Sequence, residues 1–377
     1  MPIKFTEEQL LLQEMIREFT KNEVEPRDKW MDENGFDSRL HERMANAGLF
    51  TVPFKEEYGG AGFDFVTSTM AIHEIAKGSG SVAIGLDSMW LAYDVLDMYG
   101  SAEQKAMYLP MAKEGVRICF ALTEPGCGSD AASIRTTAVK CENGWILNGS
   151  KAWITNSDAE YAIVLAKTDP TAGAKGISAF IVSSDAEGYT IGEHEDKMGL
   201  RGSFTGEMSF DNIVLGNDAL VGEEGLGFKY AMSALDAARV SIAAISLGIA
   251  EHALEIAMTY ANERMAFGKP IAKFEGIQFK FADMAAKIFA MKLMVYETAQ
   301  ARAEGRRITL DAAKTKLLCS TWATQICLEA QQVLGGNGCS KEFPAERLVR
   351  DAKMNEIAEG TSEIQRMIIG SAVLAAQ

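Results

Sequence analysis

Histidine and cysteine are scarce in this chain. Four histidines are scattered over 377 residues, and the six cysteines, Cys119, Cys127, Cys141, Cys319, Cys327 and Cys339, include no CxxC pair. That argues against a metal framework and leaves the cysteines as small buried hydrophobes in a reducing compartment. Positive charge is short as well: 37 Lys and Arg stand against 52 Asp and Glu, a net charge of −15, with no dense basic run. Nucleic acid and anionic membrane are therefore not expected as principal partners. No stretch approaches about 18 uninterrupted apolar residues, the length of a membrane span. The opening Met1-Pro2-Ile3-Lys4-Phe5-Thr6-Glu7-Glu8 has neither an apolar signal core nor Arg-rich, acid-poor transit character. The expected location is the cytoplasm.

What is present is a change of texture along the chain. Thr6 is placed to cap a helix carrying Leu10, Leu11, Met15, Ile16 and Phe19 at helical spacing. Further helices are expected over 38–47, 65–77, 82–98 and 102–113, each stopped by a glycine. From Ile118 short β-rich runs take over, at 118–122, 138–140, 145–148, 151–155, 161–167, 177–182, 189–192, 205–210 and 213–215. They suggest a compact sandwich or barrel of roughly eight short strands. After Gly225-Leu226-Gly227 long alanine-rich helices are expected at 228–264, 274–304, 310–334 and 362–376, a bundle. The fold class is α+β in three domains: a helical domain at 1–117, a β domain at 118–227 and a four-helix bundle at 228–377.

The chemistry is expected in Ile357-Ala358-Glu359-Gly360-Thr361-Ser362-Glu363-Ile364-Gln365-Arg366. Gly360 permits an unusual backbone angle, and Ser362 followed by Gln365 has the capping-box pattern that starts a helix. Glu359 then hangs just outside that start. Two readings are open: a surface acid complementing the helix dipole, or a desolvated carboxylate with raised pKa serving as a general base. Leu122-Thr123-Glu124-Pro125-Gly126-Cys127-Gly128-Ser129-Asp130 offers amides, hydroxyls and glycines for a polar ring edge or phosphate. Lys151-Ala152-Trp153-Ile154-Thr155-Asn156 is a strand whose tryptophan either packs in a core or flanks an aromatic cofactor.

With Glu263-Arg264-Met265-Ala266-Phe267-Gly268-Lys269-Pro270-Ile271, Leu334-Gly335-Gly336-Asn337-Gly338 and Arg350-Asp351-Ala352-Lys353 leading into Glu359, these motifs resemble the acyl-CoA dehydrogenase family over nearly the whole chain. The resemblance implies FAD and an acyl-CoA substrate. Phe120, Leu122 and Thr123 would line the flavin ring, Trp153 and Thr155 would flank its other side, and Ser129 would lie near the cofactor or the CoA pyrophosphate. Arg264, Phe267, Gln332, Gly335 and Gly336 would grip the adenine half across a subunit boundary, in a homotetramer. Thr361 and Glu363 would add FAD contacts, Asp236 and Arg239 would meet CoA, and Gly360 would border the substrate. Glu359 would take the α proton as hydride leaves the β carbon, and its own N–H would help to polarise the thioester oxygen. Electrons would pass to an electron-transferring flavoprotein.

Some members place the base one residue before the CoA-binding arginine; that position here is Ala238, so the alternative base is absent. Glu275 stands where many members carry glutamine. Asp87 and Trp90 fall where the acyl chain ends, and are either pocket groups or a surface aspartate and a core tryptophan. In the pocket they would favour a short, branched or alicyclic acyl group. The arginine of decarboxylating glutaryl-CoA members would fall near Val82. Alternatives are an enoyl-CoA reductase running in reverse with a bifurcating flavoprotein, an oxidase, and a non-catalytic flavin- or CoA-binding assembly factor.

Overall fold

The computed structural model describes residues 5–375. Helix α1 (Glu7–Phe19) starts where expected, as Thr6 Oγ1 accepts from Gln9 N at 3.1 Å and Gln9 Oε1 accepts from Thr6 N at 2.9 Å. A π turn at Thr20–Val24 leads to α2 (Glu25–Asn34), α3 (Ser38–Asn46), α4 (Phe65–Gly78), α5 (Gly80–Tyr99) and α6 (Ala102–Tyr108). The last is shorter than its pattern predicts. It gives way to a 3₁₀ turn at Leu109–Glu114 because Pro110 lacks the N–H that would continue the helix.

The β domain holds β1 (Ile118–Ala121), β2 (Thr137–Cys141), β3 (Gly144–Thr155), β4 (Tyr161–Lys167), β5 (Ile177–Ser183), β6 (Tyr189–His194), β7 (Thr205–Gly216) and β8 (Leu220–Val221). They form one eight-stranded sheet ordered β6-β7-β3-β2-β4-β5-β8, with β1 parallel to β4. Two pairs of expected short strands are single long ones, β3 and β7. The turn-like Asn148-Gly149-Ser150 is a bulge at which the β3–β7 register shifts, and a Cβ on Gly149 would come 2.6 Å from the Thr136 Cα. Trp145, Leu147, Val164, Phe180, Met208 and Ile213 fill the core that the sheet encloses.

The bundle comprises α7 (Gly227–Glu263), a hairpin of β9 (Met265–Ala266) and β10 (Lys269–Pro270), α8 (Glu275–Ala303), α9 (Thr309–Leu334), α10 (Ala345–Asn355) and α11 (Ser362–Ala375). Ala376, expected in this last helix, lies outside the described residues. Helix α7 is long and apolar enough to cross a membrane, yet 72% of its most apolar window is buried within the protein. It packs against α4, α5, α8 and α9. Its fully buried Val240, Ile242, Ile245, Leu247 and Ile249 each contribute about 1.5–3 kcal/mol of burial free energy.

Candidate active site

Helix α10 ends at Asn355, and the chain turns through Glu356–Thr361 before α11. Both Glu359 and Gly360 adopt left-handed backbone angles, φ 53° and 96°. The glycine therefore shares the turn with a glutamate that has a Cβ, and a non-glycine residue held there is strained. The helix start also differs from the expectation. Thr361 is the cap, accepting from Ile364 N at 3.4 Å, whereas Ser362 is buried inside the first turn and gives its hydroxyl to Glu356 O.

Glu359 is half-buried, and its carboxylate accepts no hydrogen bond among the described residues. Protein around it replaces most of the water that would hydrate the charge, and this raises its pKa, against the opposing pull of Arg239 and then Lys316. The Glu359 N–H likewise has no partner among the described residues. Arg239, 5% exposed on α7, gives Nη1 to Asp236 Oδ1 at 2.6 Å, and Thr309 holds the other Asp236 oxygen. The buried Arg239 Nε is unpartnered. Burial lowers the guanidinium pKa, while Asp236 and Glu359 resist that shift.

Asp87 on α5 is 3% exposed, with Oδ2 buried and unpartnered. Burial first, then the charge of Glu359, pushes its carboxyl well above the usual carboxylate range, so two carboxylates feel one another here. Asp87 lines a cavity with Trp90, Leu91, Ala237, Ala238 and Ser241. Trp90 is pinned in that wall, its Nε1 giving a 2.7 Å hydrogen bond to Phe50 O. Val82 lines a different cavity on the opposite face of α5, with Met31, Leu40 and Phe50.

On the sheet side, Ala152 N donates to Thr123 O at 2.9 Å, which joins the Phe120–Thr123 segment to the strand bearing Trp153 and Thr155. Trp153 is 58% exposed at φ 60°, turned out by the second register shift of β3. Leu122 is buried and Ser129 exposed, and around Gly126 and Gly128 a Cβ would meet nothing within 4 Å. Arg264 and Phe267 lie on the hairpin after α7, the phenylalanine 96% exposed at φ 50°. Gln332, Gly335 and Gly336 are exposed at the end of α9, and Asn337 Nδ2 donates to Tyr260 on the same end of α7. Glu363 and Glu275 are exposed on the first turns of α11 and α8.

Two lysines in this region went unassigned from the sequence. Lys151, fully buried, donates to Glu124 Oε1 at 2.8 Å and Leu122 O at 3.1 Å; Glu124 also accepts from Arg135 N and Thr136 N. Lys316, also fully buried, donates to Gly360 O at 2.8 Å and Glu356 O at 3.0 Å. The signal for Lys316 was there: it falls on the helical stripe of Ala312, Ala313, Cys319, Ser320 and Ala323, where a charge has no ordinary place.

Three domain families cover the chain: the acyl-CoA dehydrogenase N-terminal domain matches residues 6–115, the middle domain 119–213 and the C-terminal domain 225–374. The chain belongs to the acyl-CoA dehydrogenase family. The family comprises FAD-dependent oxidoreductases, and its helical, β and helical domains agree with the architecture expected from the sequence. The short-chain specific acyl-CoA dehydrogenase of Bos taurus mitochondria is 41% identical over 378 residues, 99% of this chain and 91% of that one. Butyryl-CoA dehydrogenase from Megasphaera elsdenii superposes with a TM-score of 0.97 at 39% identity, covering 99% of this chain and 100% of that one. The same figures hold for a chain from structural work on the electron transferring flavoprotein of Acidaminococcus fermentans and flavin-based electron bifurcation.

Proposed function

We propose that this acyl-CoA dehydrogenase acts on a short, branched or alicyclic acyl-CoA thioester and passes the electrons to an electron-transferring flavoprotein. Glu359 carries the reading: an unpartnered carboxylate made more basic by burial, with its own N–H unpaired beside it. The carboxylate removes the proton α to the thioester carbonyl, and the N–H donates to the thioester oxygen as negative charge develops there. Arg239, oriented by Asp236, binds the CoA portion through its free Nε, and Gly360 borders the thioester. Asp87, Trp90 and Ser241 close the acyl chamber. The pinned Trp90 and the similarity to short-chain and butyryl-CoA enzymes support a short acyl group.

The residues present fit FAD. Phe120, Leu122, Thr123 and Ser129, with Trp153 and Thr155, would hold the flavin half; the open space at Gly126 and Gly128 and the outward Trp153 leave room for a flat ring. Thr361 and Glu363 would add further contacts to the cofactor. Bound FAD supplies the hydride acceptor that completes the oxidation. Arg264, Phe267, Gln332, Gly335 and Gly336 suit the adenine half, but lie far from Glu359 in the same protomer. At 1.5 Å per residue, Arg264 is about 37 Å along α7 from Arg239, and Gln332 about 24 Å along α9 from Lys316. A second copy would therefore complete each site. Exposed Phe279, Phe289, Leu293 and Leu328 on α8 and α9 support self-association, and a homotetramer is expected by light scattering. A cytoplasmic location belongs to the same reading and is checked by cell fractionation.

The test is anaerobic mixing of purified holoprotein with straight, branched and cyclic acyl-CoA thioesters. Rapid flavin bleaching by short or cyclic members supports the proposal; bleaching only by long straight chains overturns the substrate class. The similarity to the chain from the bifurcation work favours a second reading, enoyl-CoA reduction. That reading requires NADH-driven reduction of the enoyl thioester in the presence of a bifurcating flavoprotein and a low-potential one-electron acceptor that takes the other half of the electrons.

A further inference from the structure

Lys316 is a buried cation whose neighbours are carbonyls. Its ammonium reaches Glu356 O and Gly360 O, the two carbonyls that bracket the left-handed turn at Glu359. The same oxygens are engaged from α11, Glu356 O by Ser362 N at 3.0 Å and Gly360 O by Gln365 Nε2 at 2.9 Å. One side chain of α9 thus ties the end of α10 to the start of α11, with the base between the two knots. Among the described residues no carboxylate lies within ion-pair distance of Lys316. Burying a charge without an ion-pair partner is costly, and the carbonyls that offset the cost here are those of the Glu359 turn.

The charges facing the loop are otherwise committed. Asp236 on α7 is held by Arg239 and Thr309. The Glu356 carboxylate is held by Lys353 on α10 at 2.9 Å and by Thr324 on α9 at 2.7 Å, and Glu363 on α11 faces Arg366 at 3.5 Å. Asp87 on α5 repels Glu359. Arg239 and Lys316 are the two cations that favour the Glu359 carboxylate, and of these only Lys316 also holds the backbone of the loop.

We propose that Lys316 is the positioning residue of the base: its ammonium holds the left-handed turn at Glu359 and keeps that carboxylate in its proton-accepting form. This rests on Glu359 being the base, as proposed above. Burial brings the Lys316 amine down to about 8, opposed first by the attraction of Glu359, so the two groups are coupled in both directions.

The experiment compares wild type, Lys316→Met and Lys316→Arg as full-length holoproteins. Hydrogen exchange is followed at amides 357–361, and anaerobic flavin reduction by butyryl-CoA, or by whichever thioester bleaches wild type best, is followed against pH. Removing a cation that favours the carboxylate raises the pKa of Glu359, so the acid limb of reduction in Lys316→Met moves to higher pH. A move of about one unit lowers the rate about tenfold further on the acid side. Exchange in the loop speeds up, and Lys316→Arg keeps the limb at its wild-type position. A merely structural lysine would lower the rate equally at all pH values; an unmoved limb, or unchanged loop exchange, overturns the proposal. If Lys316→Met fails to retain FAD, Lys316→Gln, which keeps donors but no charge, decides: a limb moved to higher pH supports the proposal, and a wild-type limb overturns it. If no acyl-CoA bleaches wild type, the functional reading fails, while the exchange comparison still decides whether Lys316 holds the turn.

Discussion

Lys151 and Glu124 form an ion pair sealed from water, Nζ to Oε1 at 2.8 Å, and through it the loop after β1 is fastened to β3. Burial brings the lysine down to about 8, and the carboxylate resists that shift. Glu124 has two backbone amides as further donors, whereas Lys151 has one other acceptor, Leu122 O. Lys151→Met leaves a buried carboxylate without its cation and is expected to destabilise the protein by about 3–5 kcal/mol. FAD retention should fall with it, because the pair holds the segments bearing Leu122, Thr123 and Trp153. Urea unfolding and the flavin-to-protein absorbance ratio of the purified variant check both parts.

If Glu359 is the base, as proposed, Glu359→Gln removes it and changes little else, since among the described residues the Glu359 carboxylate has no hydrogen bond to lose. The variant should retain FAD and bind acyl-CoA, yet show flavin reduction slowed about 10²–10⁴-fold or more in stopped flow. Bleaching at a near wild-type rate would place the base elsewhere.

Asp87 and Trp90 line one wall of the cavity. Asp87→Ala is expected to change the ranking of acyl-CoA substrates, with apolar acyl groups gaining relative to polar ones. An unchanged profile across the panel would put the carboxylate outside the acyl chamber. Because the unpartnered Asp87 Oδ2 is costly to bury, the variant should lose no stability beyond the small cavity it opens.

Lys197 tests the sign of a buried charge outside the site. It is 6% exposed, gives Nζ to Ser203 O at 2.7 Å, and burial lowers its pKa from 10.5 to about 8. Between those two values the unfolded chain binds the extra proton, so stability from this group rises with pH. Wild type should gain about 2–3 kcal/mol relative to Lys197→Met between pH 7 and pH 10, read from paired urea titrations. A pH-independent difference would mean that the amine titrates normally.

The long helices and their glycine stops were legible because apolar spacing and chain breakers agree there. Helix α2 was not: Glu25-Pro26-Arg27-Asp28 reads as polar chain with a break, although proline is tolerated in a first turn. What makes it a helix is distant, since Asp28 meets Arg347 and Asp32 meets Arg350, both on α10. Helix α10 was overlooked for the matching reason, its sequence having been read as the motif around Arg350-Asp351-Ala352-Lys353. Trp153 and Thr155 were legible as motif residues, but the bulge that turns Trp153 outward was not, because register shifts depend on the neighbouring strand. Lys151 carries no sign in the sequence of being enclosed, whereas Lys316 shows one only once its helix is placed, as a charge on the buried stripe of α9.

With Glu359 as the proposed base, its left-handed angle sets stability against activity at a single position. A side chain there costs roughly 1–2 kcal/mol that glycine would not incur, and the carboxylate adds its own desolvation. Glu359→Gly should therefore melt higher than wild type while losing the proton acceptor. Selection for thermal robustness alone would drift away from catalysis at this residue, so a stabilised descendant of this chain should be checked first for a conformationally relaxed, inactive base loop.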